Sequence, residues 1–349
     1  MSNQFRELLK KVGSGQHTKK DLTRSEAAIA AGMMLTQEAT PAQIGAFLIA
    51  HRIKRPTGIE LAGMLDSYDE LSHKLQPLPP SLYPVVVFGI PYDGRSRTAP
   101  LTPITALLLA ATGVNVILHG GDIMPTKYGI PLVAIWRGLG LEFAHRNASQ
   151  LQTLLEQTGF TFVHISEQFP LAAALVPYRD QIGKRPPLAT LELMWSPYAG
   201  SHHLIAGYVH PPTEAMMKVA FAERGQRDYT LVKGLEGSCD LRLSQTTIVV
   251  ASQPDSEAGF KYLKLNPHDY GFAGKDVALE SEQELFAQLE TVLAGKPSEL
   301  FRAIVWNSGF YLWRCGVCDD FAVGLQRAEE LLVGGAVAAK RDEIRAAIR

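Results

Sequence analysis

Several features that mark other protein classes are scarce in this chain of 349 residues. It has three cysteines, a formal net charge of −1, and no apolar run of about 18 residues that could span a membrane. The few cysteines argue against a disulfide-stapled secreted scaffold and favour a reducing compartment. Because residues 5–11 are charged and amphipathic rather than signal-like, we expect a cytoplasmic protein with no membrane partner. The balanced charge gives no overall signature of polyanion binding.

Two of the cysteines, Cys315 and Cys318, form a single CxxC. A structural zinc site needs four ligands, and no second cysteine or histidine pair lies nearby in the sequence. A redox-active CxxC normally begins a helix after a strand, whereas this one ends an apolar stretch that predicts a helix. We therefore expect packing cysteines. His202 and His203 also lack further ligands, and they are interpreted as structural.

The chain is organised around residues 85–140, which combine short apolar runs with glycine loops. A strand, a glycine loop, a helix, a second strand and a second glycine loop predict a βαβα unit with parallel strands. Its ligand site is expected where the carboxyl ends of the strands meet helix N-termini, which favour anions. The first loop supplies the candidate binding residues Gly89, Asp93, Gly94, Arg95 and Arg97.

Residues 1–75 predict a small helical domain, with about residues 165–188 packed on it. Thr23 and Glu26 form a capping-box pattern, and Thr40–Pro41 is a preferred pair at a helix start. This helical domain is expected to pair with a second copy in a homodimer. Residues 1–55 carry nine Lys and Arg against four Asp and Glu. Two interpretations remain open, mixed-sign solvated helices or a nucleic-acid surface.

Residues 76–349 predict an α/β domain, and its first residues, 76–80, form a proline-rich linker to the helical domain. Alternating apolar runs and helical patterns continue to residue 333. They predict a short helix over residues 170–178, and residues 190–195 are expected to open a turn. Residues 246–251 predict a strand in a more antiparallel region, and residues 281–333 predict three helices. The fold class is therefore α/β, with a mainly parallel sheet and a separate helical domain.

Four stretches carry a resemblance to the anthranilate phosphoribosyltransferase family. Residues 40–64 look like the second and third amino-terminal helices of the family, and residues 111–121 resemble the strand that leads to its KHGN loop. Residues 177–183 (PYRDQIG) are similar to its PVRKELG, and residues 302–317 to its last core helix. The resemblance covers nearly the whole chain and implies transfer of a phosphoribosyl group from phosphoribosyl pyrophosphate (PRPP) to anthranilate, with Mg²⁺.

Carried over position by position, the resemblance keeps some site residues. Thr102 corresponds to the end of an Asn-x-Ser-Thr phosphate motif, and Arg179 is the candidate for a substrate carboxylate. In the second loop His119, Gly120 and Lys127 match. Glu236 and Asp240 lie near the family's metal-binding acidic pair in shifted register. Mg²⁺ is therefore expected only if a phosphorylated donor is still used.

Other positions depart from the family pattern. Where the family has the loop GTGGDG, this chain has Pro91, which lacks an N–H donor, and Tyr92, which fills the space a glycine leaves open. Leu101 and Gly121 replace further polar positions. These losses predict that ordinary anthranilate phosphoribosyl transfer is lost or altered. They resemble the divergent, YbiB-type paralogues of the family, which lack the PRPP motifs and bind nucleic acid.

Three interpretations of function follow. The chain is a phosphoribosyltransferase-like protein with altered activity, a dimeric nucleic-acid or polyanion-binding protein, or a pentosyltransferase with another donor or acceptor. Arg95, Arg97, Lys127 and Arg179 either form an anion site of a new shape or, for the two loop arginines, are solvated or paired with Asp93 and Asp122. Glu236 is the best single carboxylate for the cleft, and a helix-capping role is equally open.

Overall fold

The computed structural model describes residues 3–15, 17–89 and 94–348, so Asp93, with Pro91 and Tyr92, lies outside the described residues. The described chain forms an amino-terminal helical bundle and a larger α/β domain around one seven-stranded sheet. This is the fold class that the sequence predicts. In the part of the chain that is described, no helix is both long and apolar enough to cross a membrane.

The seven strands share one sheet in the order β3-β2-β1-β4-β5-β6-β7. They are β1 (Val86–Gly89), β2 (Val116–Gly120), β3 (Phe160–His164), β4 (His203–Gly207), β5 (Tyr229–Val232), β6 (Thr247–Ser252) and β7 (Phe260–Leu265). The first five strands in sequence pair in parallel, and β6 and β7 are antiparallel. The chain winds outward from β1 in one direction and then returns to add β4 on its other side. Ligand sites of open α/β sheets lie at such a reversal, beyond the carboxyl ends of the strands.

The bundle helices are α1 (Asn3–Gly13), α2 (Arg24–Leu35), α3 (Pro41–Lys54) and α4 (Gly58–Leu71). The remaining helices are α5 (Thr102–Ala111), α6 (Leu132–Gly138), α7 (Ala148–Thr158), α8 (Ile165–Gln168), α9 (Pro170–Ala173), α10 (Val176–Ile182), α11 (Leu188–Met194), α12 (Pro211–Arg224), α13 (Glu282–Leu293), α14 (Glu299–Arg314), α15 (Phe321–Val333) and α16 (Ala336–Ile348). Two short 3₁₀ turns occur at Leu235–Gly237 and Pro267–Tyr270.

The predicted helix starts in the bundle are confirmed. Thr23 and Glu26 form a reciprocal capping box, and Thr40 caps α3 with Pro41 in the first turn. Each cap satisfies N–H groups that have no partner within the helix. The segment that follows β3 lies against this bundle, because Phe169 packs edge to face on Tyr68. The bundle and the α/β domain therefore share a boundary next to the carboxyl edge of the sheet.

Several element predictions are wrong in detail. The single helix predicted over residues 170–178 is two helices, since Pro177 supplies no N–H for a continuous one. The sequence pattern does not predict strand β7 or helix α16. The β7 sequence FKYLKL alternates poorly because this edge strand exposes both lysines and Tyr262, and edge lysines protect against unwanted strand pairing. Residues 190–195 belong mostly to helix α11 rather than to the approach to a turn.

Candidate functional site

The candidate site lies at the carboxyl edge of the sheet, where three segments meet. Residues 94–98 follow β1, residues 121–130 follow β2, and residues 234–240 follow β5. The first two segments are joined by a pair of backbone hydrogen bonds between Arg95 and Ile130, 3.1 and 2.8 Å long. Beside them an open cleft of about 520 Å³ separates the sheet edge from the bundle. The cleft is lined by Thr126, Glu236 and Gly237 on one side.

The glycines of the first loop are explained by backbone packing. A side chain on Gly89 would place its Cβ 1.9 Å from the carbonyl oxygen of Leu193. Gly94 has a φ of +70°, and a Cβ there would lie 2.5 Å from the Ile130 carbonyl oxygen. Both positions require glycine because another backbone segment approaches too closely for any side chain. Their presence is therefore accounted for without a phosphate.

Arg95 is buried, so the interpretation of it as a solvated loop charge is wrong, and its described contacts do not include Asp122. Pairing with Asp93 falls outside the described residues. Its guanidinium donates to the Leu235 carbonyl oxygen and the Ser238 hydroxyl. It also lies 3.8 Å from Glu236 and 3.7 Å from Asp240. Asp122 instead contacts His164, at 3.2 Å. Arg95 thus joins the first loop to the segment after β5.

Glu236 is the centre of this arrangement. One carboxylate oxygen accepts from the N–H of Arg97 at 3.1 Å and from the N–H and hydroxyl of Thr98 at 2.9 and 2.8 Å. The other oxygen lies 2.9 Å from the Lys127 ammonium and 3.2 Å from the Ser96 hydroxyl. Arg97 approaches it at 3.6 Å, although 77% of the Arg97 side chain is exposed. Three cations and four uncharged donors therefore surround one carboxylate.

This environment keeps Glu236 ionised. Burial alone would raise the pKa of Glu236, but the hydrogen bond from Lys127, the charge of Arg95 and the hydrogen bond from Thr98 bring that pKa well below its ordinary value. Burial lowers the pKa of Arg95, and the nearby carboxylates of Asp240 and Glu236 oppose that shift. The cluster consequently stays charged throughout the physiological range.

Asp240 plays a similar part at the start of α5. Its two oxygens accept from the Leu101 N–H at 3.0 Å and from the Thr102 hydroxyl at 2.6 Å. Leu101 is the N-cap residue of α5 and makes no side-chain cap, so Asp240 supplies the acceptor that this helix end needs. Thr102, the one retained residue of the expected phosphate motif, is thus bonded to an internal carboxylate.

Magnesium does not fit these carboxylates as they stand. Mg²⁺ needs several oxygen ligands in octahedral geometry, whereas the oxygens of Glu236 and Asp240 are taken up by the protein's own cations and hydrogen-bond donors. Residues 3–15, 17–89 and 94–348 also contain no group of three His, Cys, Asp or Glu residues that could hold a metal ion.

Arg179, expected to meet a substrate carboxylate, is 1% exposed and forms an ion pair with Glu192 of α11. Its guanidinium also lies 3.6 Å from the Met124 sulfur in the second glycine loop. A substrate carboxylate would therefore have to displace Glu192. Sequence analysis did not select Glu192, since nothing in the pattern links it to Arg179 thirteen positions earlier.

His119 and Gly120 end β2 beneath the cleft. The His119 ring packs edge to face on Trp195, with ring centroids 5.3 Å apart. Burial lowers the pKa of His119 to about 4, so the ring is neutral at physiological pH. Gly120 faces Phe162, whose ring would lie 3.5 Å from an added Cβ. Both residues pack within the core of the sheet edge.

Two other groups of candidates lie away from the cleft. His203 lies between Asp228 and Thr230, at 2.6 and 2.9 Å, at the amino end of β4. Cys315 is buried after α14, and burial raises its pKa to about 12, as expected of a packing cysteine rather than a reactive one.

The rest of the cleft lining is basic and partly apolar. Arg52, Lys184, Arg185 and His210 lie along it with their side chains exposed. Apolar surface comes from Leu193, Tyr208, Val209, Met216 and prolines at positions 56, 186 and 187. Such a cleft combines attraction for an anion with contact area for an organic body.

The basic excess of the amino-terminal helices is partly neutralised by internal ion pairs. Lys11 contacts Glu26, Arg24 contacts Asp66 at 2.7 Å, and Lys54 contacts the buried Glu60 at 2.8 Å. These internal pairs reduce, but do not remove, the positive charge of the bundle, where Arg6, Lys20 and Arg55 are exposed.

Comparisons with known proteins agree on one family. Residues 6–72 match the helical bundle domain of the glycosyl transferase family, and residues 94–338 match its a/b domain. Anthranilate phosphoribosyltransferase from Aromatoleum aromaticum is 26% identical over 313 residues, or 89% of each chain. The protein of that name from Laribacter hongkongensis is 25% identical over 308 residues, or 87% of each chain.

Solved structures agree in fold. Anthranilate phosphoribosyltransferase from Thermus thermophilus gives a TM-score of 0.81 at 22% identity over 100% of both chains. The Saccharomyces cerevisiae protein, in complex with PRPP and Mg, gives a TM-score of 0.82 at 16% identity, covering 100% of this chain and 98% of that one. The chain therefore belongs to the glycosyl transferase family of helical bundle and a/b domains, and it has the fold of anthranilate phosphoribosyltransferase.

Proposed function

We propose that this chain is an anthranilate phosphoribosyltransferase-like protein that does not transfer a phosphoribosyl group from PRPP with Mg²⁺. It instead binds a different anionic ligand in the cleft between the bundle and the sheet. The proposal combines departures in the sequence with the arrangement of charges around the cleft. Its ligand is defined by chemistry, an anion with an organic body, because the cleft offers both exposed cations and apolar surface.

The observation that carries the proposal is the use of Glu236 and Asp240. The resemblance places them near a magnesium site, but here they accept hydrogen bonds from the loop and helix start that a phosphate would use. A carboxylate that is already bonded to Lys127 would have to give up a charge-assisted hydrogen bond to coordinate a metal. The Thr102 hydroxyl, which the resemblance assigns to a phosphate, is likewise bonded to Asp240.

Two further features support it. Pro91 and Tyr92 stand where the family loop has glycines, which removes an N–H donor and adds bulk. Arg179 already pairs with Glu192, so the carboxylate of anthranilate meets competition from an internal carboxylate at that position. Donor, metal and acceptor binding are thus each weakened by a different part of the chain.

The test is an activity assay with PRPP, Mg²⁺ and anthranilate, using the Aromatoleum aromaticum relative as a positive control. We expect no turnover by this chain under conditions in which the relative is active. A second arm replaces Glu192 by Gln, which removes the competing charge at Arg179 but leaves Glu236 and Asp240 in place. We expect this variant to stay inactive. Turnover by the unmodified chain would contradict the proposal.

A nucleic acid is the second candidate ligand, favoured by the exposed Arg52, Lys184 and Arg185 along one wall of an open cleft. Binding of this kind neutralises backbone phosphates and weakens steeply with salt. A titration with a single-stranded oligonucleotide at several salt concentrations tests it. A triple Arg52→Ala, Lys184→Ala, Arg185→Ala variant should bind more weakly and with a smaller dependence of affinity on salt. An unchanged salt dependence would exclude these residues as the contact.

A further inference from the structure

Glu236 fills a pocket of donors that has the composition of an oxyanion site. We propose that Glu236 is a resident internal anion, and that the ligand of this chain docks a terminal phosphate by displacing the Glu236 carboxylate from Lys127 and residues 96–98. The proposal rests on the proposed function for the location of the ligand and adds the chemical group that the ligand must carry.

The donor set is larger than one carboxylate needs. Successive N–H groups of Arg97 and Thr98 point at the same oxygen, at 3.1 and 2.9 Å. Successive backbone N–H groups of this kind form anion-binding concavities. The Ser96 and Thr98 hydroxyls add two further hydrogen bonds, and Lys127 adds a charge. Four uncharged donors and an ammonium suit the three oxygens of a terminal phosphate at least as well as the two of a carboxylate.

The net charge around Glu236 also matches a terminal phosphate. Arg95, Arg97 and Lys127 all lie within 4 Å of Glu236, and Asp240 is the other carboxylate paired with Arg95. If the Glu236 carboxylate leaves, Asp240 balances one of the three cations and two positive charges remain. A terminal phosphate monoester carries close to two negative charges at neutral pH. An internal phosphodiester carries only one, so it matches the cluster less well.

Glu236 is also built so that it can leave. It has a φ of +53° and a ψ of 21°, a left-handed backbone conformation that is unfavourable for residues other than glycine. It lies in a 3₁₀ turn between Gly234 and Gly237, and Gly237 has a φ of +83°. Such strained backbone persists only where surrounding contacts hold it, and it clusters at functional sites. Release of the carboxylate therefore relieves strain while it opens the site to the cleft.

Asp240 shows the contrast within the same segment. It is 2% exposed, has ordinary backbone, and caps α5 from inside the protein. The Glu236 side chain is itself only 3% exposed, but the residue belongs to the lining of the cleft and Asp240 does not. Of the two residues, Glu236 is therefore the one that borders the space from which a ligand would arrive.

The experiment measures binding of inorganic phosphate, without Mg²⁺, to the full chain and to Glu236→Gln. The glutamine keeps the size of the side chain and removes the competing charge. We expect the variant to bind phosphate at least about tenfold more tightly, the effect of one charge-assisted hydrogen bond. The control is Glu142→Gln, which makes the same charge change at a surface ion pair with Arg137. It should bind phosphate as the unmodified chain does.

A double variant, Glu236→Gln with Lys127→Ala, assigns the gain to this site, because it should return phosphate affinity to the level of the unmodified chain. Equal affinities for Glu236→Gln and Glu142→Gln would overturn the proposal. So would a gain that survives loss of Lys127. Thymidine monophosphate should compete with phosphate for Glu236→Gln, whereas an oligothymidylate without terminal phosphates should not. Equal competition by the oligonucleotide would overturn the assignment to a terminal group.

If Glu236→Gln fails to fold, hydrogen exchange of the unmodified chain decides. Saturating phosphate should speed amide exchange in residues 234–238, because their anchor is released, and unchanged exchange would overturn the proposal. None of these arms contains PRPP, Mg²⁺ or anthranilate. Failure here therefore leaves the proposed function standing, and turnover in the assay above would refute the proposed function without reference to phosphate binding.

Discussion

Glu60 of the helical bundle and Glu236 of the cleft wall are two carboxylates in similar electrostatic surroundings. Glu60 accepts from Lys54 at 2.8 Å, from the Leu22 N–H at 2.9 Å and from the Thr57 N–H at 2.7 Å. Burial would raise its pKa, but hydrogen bonding and charge from His51 lower that pKa to about 2. Low pKa and many donors are therefore common to both residues and do not separate a structural role from a functional one.

The two residues differ in backbone and in access. Glu60 lies in the first turn of α4 with helical backbone, completes a capping box and is fully buried. Glu236 has left-handed backbone and, although its side chain is only 3% exposed, the residue borders the cleft. A carboxylate that is buried on all sides can only stabilise the fold, whereas one held in strain beside open space is able to exchange for a ligand. Strain and access therefore carry more information about function than an ion pair does.

Substitution of Glu60 should have a greater effect on stability than any other change considered below. Glu60→Gln leaves His51 buried without this carboxylate and leaves Lys54 with the exposed Asp21 as its remaining carboxylate partner, and breaking a buried pair in this way costs about 3–5 kcal/mol. Denaturant unfolding at pH 7 measures the loss. The control is Glu7→Gln, which removes an exposed pair with Lys10 and should leave stability unchanged. A loss at Glu60 no larger than that of the control would remove the basis of the contrast with Glu236.

His119 is a buried neutral side chain whose protonation on unfolding makes the free energy of unfolding depend on pH, without an ion pair. The folded pKa is about 4, and the ordinary value is about 6.5, so the unfolded chain binds a proton first as pH falls. Stability should therefore decrease as pH falls from about 6.5 toward about 4, by about 2 kcal/mol between pH 7 and pH 5. His119→Phe keeps the ring against Trp195 and should lack this part of the loss. Equal losses in both proteins would contradict the shifted pKa.

Glu236→Gln should cost less stability than Glu60→Gln. We expect about 1–2 kcal/mol, because water from the cleft can reach Lys127 and Arg97 once the charge is gone. The same denaturant titration measures it beside the Glu60 variant. A loss as large as that at Glu60 would mean that Glu236 is a structural clamp, and the contrast between the two carboxylates would fail.

The smallest expected effect separates the cost of the left-handed backbone at Glu236 from the loss of its carboxylate. Glu236→Ala and Glu236→Gly both remove the carboxylate, but alanine keeps the penalty of left-handed backbone. We expect the glycine variant to be more stable than the alanine variant by about 1 kcal/mol. As a control, the same pair at Glu60, in helical backbone, should show the opposite order. If alanine is the more stable at both positions, Glu236 is not strained.

Most of the fold could be predicted because local patterns agree with the final structure. The capping signals at Thr23 and Thr40 and the run from β1 to β2 are contiguous in sequence. Strand β7 could not, since five of its six side chains are at least partly exposed and give no alternation of buried and exposed positions. Helix α16 (AVAAKRDEIRAAI) consists mostly of alanine and charged residues, so few large apolar side chains mark its buried face.

The sequence predicts many residues of the site, but not which of them contact each other. Lys127, Arg95 and Glu236 are all selected from sequence, but their meeting depends on contacts between segments more than one hundred positions apart. Glu192 is missed because its role is visible only when α10 and α11 are packed together. The strain at Glu236 also has no sequence signal beyond its glycine neighbours.

A calorimetric titration of the chain with PRPP, with and without Mg²⁺, decides whether the two carboxylates of the cleft are available to a metal. We predict no Mg²⁺-dependent binding up to millimolar PRPP, because Glu236 and Asp240 are bonded within the protein and Pro91 and Tyr92 alter the loop. Micromolar binding that requires Mg²⁺ would contradict this prediction. That result would mean that both carboxylates leave their internal partners for the metal, and that the chain is a working phosphoribosyltransferase.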